Sequence, residues 1–80
     1  MARYYFNLKD GKTILDMDGI ELADMKSVQK EAVQSSAEML KGLSGSHLWS
    51  GEPWELWVTD QPNGGGNTVL SLTFSAKLIP

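Results

Sequence analysis

The sequence predicts an α+β fold, in which a small antiparallel sheet of two β-hairpins carries one amphipathic helix on one face, in the order β-β-α-β-β. Three observations predict it: paired segments of alternating polarity near both ends of the chain, Gly-containing turns within each pair, and one stretch of helical periodicity between the pairs. Eighty residues, 41% of them hydrophobic, suffice for a single domain over residues 1–80 with one modest core.

The first hairpin begins with the segment RYYFNLK, residues 3–9, whose alternating polarity and aromatic content indicate a strand. Asp10 and Gly11 are the residues that a two-residue hairpin turn favours, and KTILDM is expected to return as the second strand. A two-residue turn fixes the cross-strand partners: Leu8 with Thr13, Phe6 with Leu15, and Tyr4 with Met17. Tyr5 and Ile14 then fall on the opposite face.

The segment after this hairpin predicts a turn, a short extended piece and the helix. Asp18-Gly19 favours a turn, and IEL follows it. Asp24 is a suitable N-cap for a helix from about Met25 to Lys41. The residues expected to share its buried stripe are Met25, Val28, Ala32, Ser35 or Ser36, Met39 and Leu43. Gly42 is expected to end the helix in the left-handed conformation.

The second hairpin follows a long loop at residues 42–53, whose Leu43, Leu48 and Trp49 suggest a flap packed on the core. WELWVTD and NTVLSLTFS are the predicted strands, with an Asn-Gly-rich tip between them. One register pairs six apolar side chains: Trp54 with Phe74, Leu56 with Leu72, and Val58 with Leu70. This register leaves Trp57 on the opposite face.

The segments RYYFNLKDG at the start, DMDGIELADM before the helix, and VTD followed by Gly and VLSLTF near the end resemble a known pattern. Together they are similar to a family of short uncharacterised bacterial proteins, classed as a domain of unknown function, whose members begin RYxFxLxDG. The likeness covers most of the chain. It implies the fold and no activity, because its motifs are turns and strands rather than reactive groups.

The acidic cluster of Asp10, Asp16, Asp18 and Glu21 raises the question of a metal site. Aligning Gly19 with the invariant glycine of a calcium loop places hydrocarbon side chains at two positions that need oxygen ligands. These positions are therefore interpreted as turns, and no metal ligands are predicted. The chain also has no cysteine, so thiolate metal sites and disulfides are excluded.

Catalytic and cofactor-binding motifs are not predicted either. His47 is the only histidine and lies in a Gly/Ser-rich loop, where a solvent-side histidine is the ordinary interpretation. The segment NGGGNT lies between two strands and lacks the lysine of a phosphate-binding loop. We therefore expect no catalytic residues, no cofactor and no enzymatic activity.

Charge and hydropathy argue against two classes of partner. The formal net charge is −3 and the seven basic residues are scattered, which disfavours binding to nucleic acid. The first residues alternate in polarity, and no window approaches about 18 consecutive apolar residues, so neither a signal peptide nor a membrane anchor is expected. These features predict a cytoplasmic protein that does not bind membranes.

The remaining functional hypothesis concerns the sheet face opposite the helix, where Tyr5, Ile14 and Trp57 are predicted to lie. An exposed apolar patch usually marks a binding site for a partner or ligand. We therefore predict a non-enzymatic module that forms a homodimer or binds another protein, through this face or an open strand edge. Burial of this face under the loop at residues 43–54 is expected as readily as homodimerisation. The alternative function, ranked below both, is a small-molecule or carbohydrate-binding domain that uses the exposed aromatic side chains.

Overall fold

A computed structural model of the protein describes residues 1–42 and 46–80, with the backbone alone at Ser46 and His47. The elements in chain order are β1 Ala2–Lys9, β2 Thr13–Ile14, β3 Ile20–Leu22, α1 Met25–Lys41, α2 Ser46–Trp49, β4 Trp54–Thr59 and β5 Thr68–Phe74. All pairings in the sheet are antiparallel, and α1 packs on one face. The predicted α+β class is therefore confirmed.

β1 pairs with three other strands of the sheet, whose order is β2-β1-β4-β5 with β3 also paired to β1. Ile14 lies opposite Leu8 and Ile20 lies opposite Tyr4, so the five residues 15–19 face three residues of β1. This five-residue stretch, here called the 15–19 segment, leaves the plane of the ladder. The second strand predicted over residues 12–17 is therefore reduced to the two residues of β2, whereas the predicted extended piece IEL is β3.

The first hairpin differs from the predicted register by one residue. Its loop contains three residues, because Lys9 pairs with Thr13, and Gly11 alone in this loop has a positive φ, of 74°. Leu8 therefore lies opposite Ile14 instead of Thr13. A shift of one residue exchanges the two faces of a strand, so Ile14 shares the face of Leu8.

The second hairpin has the register that the sequence predicts, in which three apolar pairs lie opposite one another: Trp54 with Phe74, Leu56 with Leu72, and Val58 with Leu70. Its tip loop contains Asn63 and Gly64, with φ values of 60° and 72°. The Gly65 N–H donates to the Pro62 carbonyl at 3.1 Å. Positive φ at both central residues is the requirement of a type I′ turn, for which Asn-Gly is a preferred pair.

The core lies between the sheet and α1. Its fully buried hydrophobic side chains are Val28, Ala32, Trp54, Leu56 and Val58. Even-numbered side chains of the paired strands pack around them partly buried, as parity predicts: Tyr4, Phe6, Leu8, Leu70, Leu72 and Phe74. The rings of Trp54 and Phe74 lie 5.5 Å apart with a tilt of 59°. Such a pair adds about 0.5–1.5 kcal/mol beyond the burial of its area.

The helix begins and ends at the predicted residues, Met25 and Lys41. The Asp24 carboxylate accepts the Ser27 backbone N–H at 2.8 Å, which confirms the predicted N-cap. Hydrogen bonds from the Ser27 backbone and side chain hold the pKa of Asp24 below its ordinary value. The ionised carboxylate is also favoured by the positive end of the helix dipole.

Parts of the predicted helix stripe are wrong. The buried helix residues are Val28, Ala32 and Ser36. Met25 and Met39 are 41% and 42% exposed, because the middle turns of the helix carry its contact with the sheet. Gly42 caps the helix with a φ of −89°, a right-handed value and not the predicted left-handed one. Leu43, the last residue of the predicted stripe, lies outside the described residues.

The side chain of Asn7 joins the 15–19 segment to two strands, on the sheet face opposite the helix. It is fully buried, at 0% exposure. Its amide nitrogen donates to the Thr59 hydroxyl at 3.1 Å and to the Trp57 carbonyl at 3.2 Å. Its Oδ1 accepts the Asp16 backbone N–H at 2.9 Å. One amide therefore links β1, β4 and the irregular segment.

Next to the 15–19 segment, the middle of β1 has no paired strand on this side. The carboxylate of Asp16 takes the place of the missing strand partner. Its Oδ2 accepts the Phe6 N–H at 3.0 Å, and its Oδ1 accepts the N–H groups of Asp18 and Gly19 at 3.0 and 3.1 Å. Partial burial raises the pKa of Asp16, but these three backbone donors outweigh it and hold the pKa below the ordinary value of 3.8.

The tip of the second hairpin closes over the same region. The Asn63 N–H donates to the Asp16 carbonyl at 3.0 Å. The Leu15 side chain lies against Gly64, where an added Cβ would approach it to 3.1 Å. The 15–19 segment and the tip loop therefore meet over the centre of the face opposite the helix.

We expect Asn7→Ala to lower the free energy of unfolding by about 3 kcal/mol, because the Asp16 N–H and the Thr59 hydroxyl would lose a partner in a buried site. Urea denaturation measures this loss. The control is Asn67→Ala, whose exposed side-chain amide contacts the Asp60 carboxylate at 3.4 Å and for which the loss should stay below about 1 kcal/mol. Equal losses in the two variants would contradict the role of Asn7.

Asp16→Asn should make the stability of the protein less dependent on pH. Because the folded pKa of Asp16 is lowered, its ionised form stabilises the fold above the ordinary value of 3.8, and this contribution is lost as pH falls through the folded pKa. We expect a loss of roughly 1–2 kcal/mol near pH 7 that shrinks toward pH 2–3, measured by urea denaturation across this range.

The matched control for this measurement is Asp18→Asn, which alters an exposed carboxylate two residues away. As a substitution at the surface, Asp18→Asn should change the free energy of unfolding by less than about 0.5 kcal/mol. A difference for Asp16→Asn that is constant with pH, or that grows as pH falls, would contradict the assigned hydrogen bonds.

Candidate interaction surface

Tyr5 and Trp57, two of the three residues predicted to form an interaction surface, lie together on the sheet face opposite α1. Tyr5 pairs with Thr59 and Trp57 pairs with Asn7, so the two aromatic residues are diagonal neighbours on β1 and β4. Both side chains are partly buried. The structure thus brings these two predicted residues together.

Ile14, the third predicted residue, lies on the other face. It pairs with Leu8 on the short edge strand β2 and is 50% exposed. The predicted grouping with Tyr5 and Trp57 depended on a two-residue turn, and the observed three-residue loop reverses the face of Ile14. The structure therefore does not bring Ile14 to the aromatic pair.

Loops cover the centre of the face that carries Tyr5 and Trp57. Asn7 and Thr59 belong to this face by strand parity, yet they are only 0% and 1% exposed. The 15–19 segment and the tip loop lie over them. The predicted cover by the loop at residues 43–54 falls partly outside the described residues. Its Leu48 packs against the core as predicted, but its Trp49 is 55% exposed. The aromatic pair therefore borders a covered polar centre and not an open apolar patch.

A shallow groove of about 350 Å³ lies at the end of the sheet nearest the first hairpin loop. Its lining residues are Lys9, Gly11, Glu52, Pro53, Glu55 and Thr73. Three of these form one row across β1, β4 and β5: Lys9, Glu55 and Thr73. Neither Tyr5 nor Trp57 lines the groove, so the concavity and the aromatic side chains do not coincide.

The sheet edge formed by β2 and β3 is protected against pairing with another strand. β2 has two residues and β3 has three, and the 15–19 segment interrupts them. In the gap between them, the Asp16 carboxylate accepts a hydrogen bond from the Phe6 N–H. Arg3 and Glu21 form an ion pair at 3.1 Å along the same edge. Short strands, charges and an irregular segment are devices that block edge pairing.

The opposite edge is β5, and the direction of its backbone groups follows from the ladder. Successive residues of an antiparallel strand direct their N–H and C=O groups to alternate sides. The Phe6 N–H points toward Asp16, away from β4, so Asn7 and its partner Trp57 form a hydrogen-bonded pair. By the same alternation β4 bonds β5 through its even-numbered residues, and the outward groups of β5 belong to Ser71 and Thr73. Among the described residues, no strand pairs with this edge.

The sequence of β5 contains none of the protective features of the other edge. TVLSLTF has seven residues without charge or proline, and it is rich in β-branched, aromatic and leucine side chains. The register shift between Val58 and Thr59 lies at the tip end and leaves the rest of the ladder regular. The side chains of Ser71 and Thr73 are exposed on the face opposite the helix. An edge of this kind is a template for another strand.

Sequence reasoning missed the residues that shape this face: Asn7, Asp16 and Thr59. One signal was available, since an asparagine in the middle of an aromatic strand is unusual and needs a partner when buried. A second was the Asp before Asp18-Gly19, which suits an Asx turn. The link from Asn7 to Thr59 spans 52 residues, so no local pattern could indicate it.

Two further findings concern the part of the chain that the structure describes. None of its helices has both the length and the apolar composition needed to span a membrane. Within residues 1–42 and 46–80, no three side chains of Asp, Glu or His are grouped so that they could hold a metal ion. The side chain of His47 lies outside this description.

Comparison with known proteins identifies a family for this fold. A family model described as a domain of unknown function, DUF6894, matches residues 3–75, a span from the second residue of β1 to the residue after β5. No curated protein and no solved structure gives a significant match. The resemblance predicted from the terminal motifs is therefore confirmed, and the chain belongs to the domain of unknown function family DUF6894.

Proposed function

We propose that this protein is a non-enzymatic interaction module that binds an extended strand along the free edge of β5. The observation that carries the proposal is the outward direction of the N–H and C=O groups of Ser71 and Thr73, at an edge without a strand partner in the described chain. An incoming strand would satisfy these groups by joining the sheet, the mode of recognition known as β-augmentation.

The side chains of β5 indicate what such a strand would look like. Leu70, Leu72 and Phe74 are partly buried on the helix side, next to the core. Ser71 and Thr73 are exposed on the other side. A bound strand would continue both layers, with apolar residues at alternate positions facing the helix side and polar residues between them.

The second candidate is a small-molecule or carbohydrate site. The groove of about 350 Å³ is at the lower end of the volume range of ligand pockets, roughly 300–1,000 Å³. Its lining contains Lys9 and two glutamates but no aromatic residue, while Trp57 lies one row away. The strand edge therefore has the stronger support, because its outward backbone groups alone specify how a partner strand would bind.

Ser71→Pro should abolish strand binding without unfolding the protein. Its N–H points outward, so proline removes a group that β4 does not use, and proline is tolerated at such edge positions. We expect at least about a tenfold loss of affinity for extended peptides selected from a random library on the unsubstituted protein, measured by fluorescence anisotropy. Ser71→Thr, which keeps the N–H, should retain binding.

Two further variants sharpen this test. Leu72→Pro removes an N–H that β4 uses, so it should lower stability clearly more than Ser71→Pro. Trp57→Ala should leave peptide affinity within about twofold, because Trp57 lies on β4 and not on the free edge. A library without extended binders would contradict the proposal. So would peptides that bind Ser71→Pro at full affinity but lose binding to Trp57→Ala, a result that would move the site to the aromatic face.

A further inference from the structure

We infer that the strand that completes the β5 edge is β5 of a second copy of this chain, paired antiparallel about a twofold axis at Leu72. This inference rests on the proposed function and names its partner. It depends on three features of the described residues: the positions of the outward backbone groups, the match of apolar side chains across the pair, and the charges at its ends.

The outward backbone groups are compatible with a twofold pairing. In a register centred on Leu72, Ser71 lies opposite Thr73 of the second copy, and Thr73 lies opposite Ser71. Each such pair can exchange two N–H···O=C bonds, because all four residues direct these groups outward. Leu72 then lies opposite Leu72 of the second copy in a non-hydrogen-bonded pair, the kind in which side chains approach most closely.

The apolar side chains favour this register over its neighbours. Centring the axis on Leu72 pairs Leu70 with Phe74 of the second copy, so every partly buried apolar side chain from Leu70 to Phe74 meets another. An axis at Ser71 would place Phe74 opposite Thr68, and an axis at Thr73 would place Leu70 beyond the strand end. The register at Leu72 alone continues the helix-side apolar layer across both copies.

The charges at the ends of β5 are complementary in the same register. Continued past the strand ends, this register brings Lys77 toward Asn67 of the second copy. The Asp60 carboxylate holds Asn67, accepting its backbone N–H at 2.8 Å and its side-chain amide at 3.4 Å. Lys77 and the Asp60 carboxylate of the second copy therefore lie toward the same end of the pair, and the twofold axis repeats this arrangement at the other end. The uncharged strip between them lets two chains of net charge −3 approach.

The other edge of the sheet limits such an assembly to two chains. Because the β2 and β3 edge is interrupted and carries the Arg3–Glu21 ion pair, β5 is the strand edge that remains open in the described chain. Self-pairing through one edge uses the same surface on both copies and closes as a dimer. A sheet with two open edges would instead extend into filaments.

Paired cysteine variants test the register directly, because the chain has no cysteine of its own. Ser71→Cys and Thr73→Cys replace exposed side chains and are mixed under mild oxidation, with products identified by mass spectrometry. We expect the disulfide between the two variants to form at least about tenfold faster than either homodimer. In this register the Cα atoms of Ser71 in the two copies are roughly 9 Å apart, as are those of Thr73, which is beyond the reach of a disulfide.

Sedimentation equilibrium of the unsubstituted protein supplies the second readout, with a reversible monomer–dimer equilibrium expected and at least about a tenfold weaker dimer for Ser71→Pro. A strict monomer at millimolar concentration would overturn the inference, and peptide binding at the edge would show that the proposed function survives. A dimer whose cysteines cross-link equally well in single variants would overturn the register. A dimer insensitive to Ser71→Pro would overturn the interface.

Discussion

The structure depends on the buried amide of Asn7, which holds the 15–19 segment against the sheet through the Asp16 N–H. With Asp16 held there, its carboxylate reaches the Phe6 N–H that the interrupted ladder leaves without a strand partner. The same amide bonds Thr59 on the neighbouring strand. A neutral side chain with all its polar atoms used is stable in this position, whereas the same site with one partner missing would carry a large desolvation cost.

This arrangement makes the two edges of the sheet chemically different. On the side of β2 and β3, side chains and an irregular loop use the backbone groups that a foreign strand would need. On the side of β5, two residues keep their N–H and C=O groups directed outward along an uncharged strand. A small sheet with one closed and one open edge can recognise one further strand but cannot polymerise through both. The proposed function rests on this difference between the two edges rather than on an apolar patch.

The sequence predicts the parts of the fold that rest on several agreeing local signals. The β4–β5 register follows from six apolar side chains that match at once, and the helix follows from its period and the Asp24 cap. The predicted register of the first hairpin is wrong because Asp10-Gly11 suits loops of two or three residues. The extra residue in the loop reverses the face of Ile14. The contact between Asn7 and Thr59 could not be predicted, because 52 positions separate the two residues in the chain.

The groove and the free edge are not independent, because Thr73 belongs to both. It lines the groove beside Lys9 and Glu55, and it directs its backbone toward the open side of β5. A strand added at that edge would place its own side chains next to Thr73, where they would form an additional wall of the groove. In a twofold pair that wall would come from Ser71 of the second copy. A ligand that fits the groove would then contact both chains, so any such binding would be coupled to the pairing of the strands.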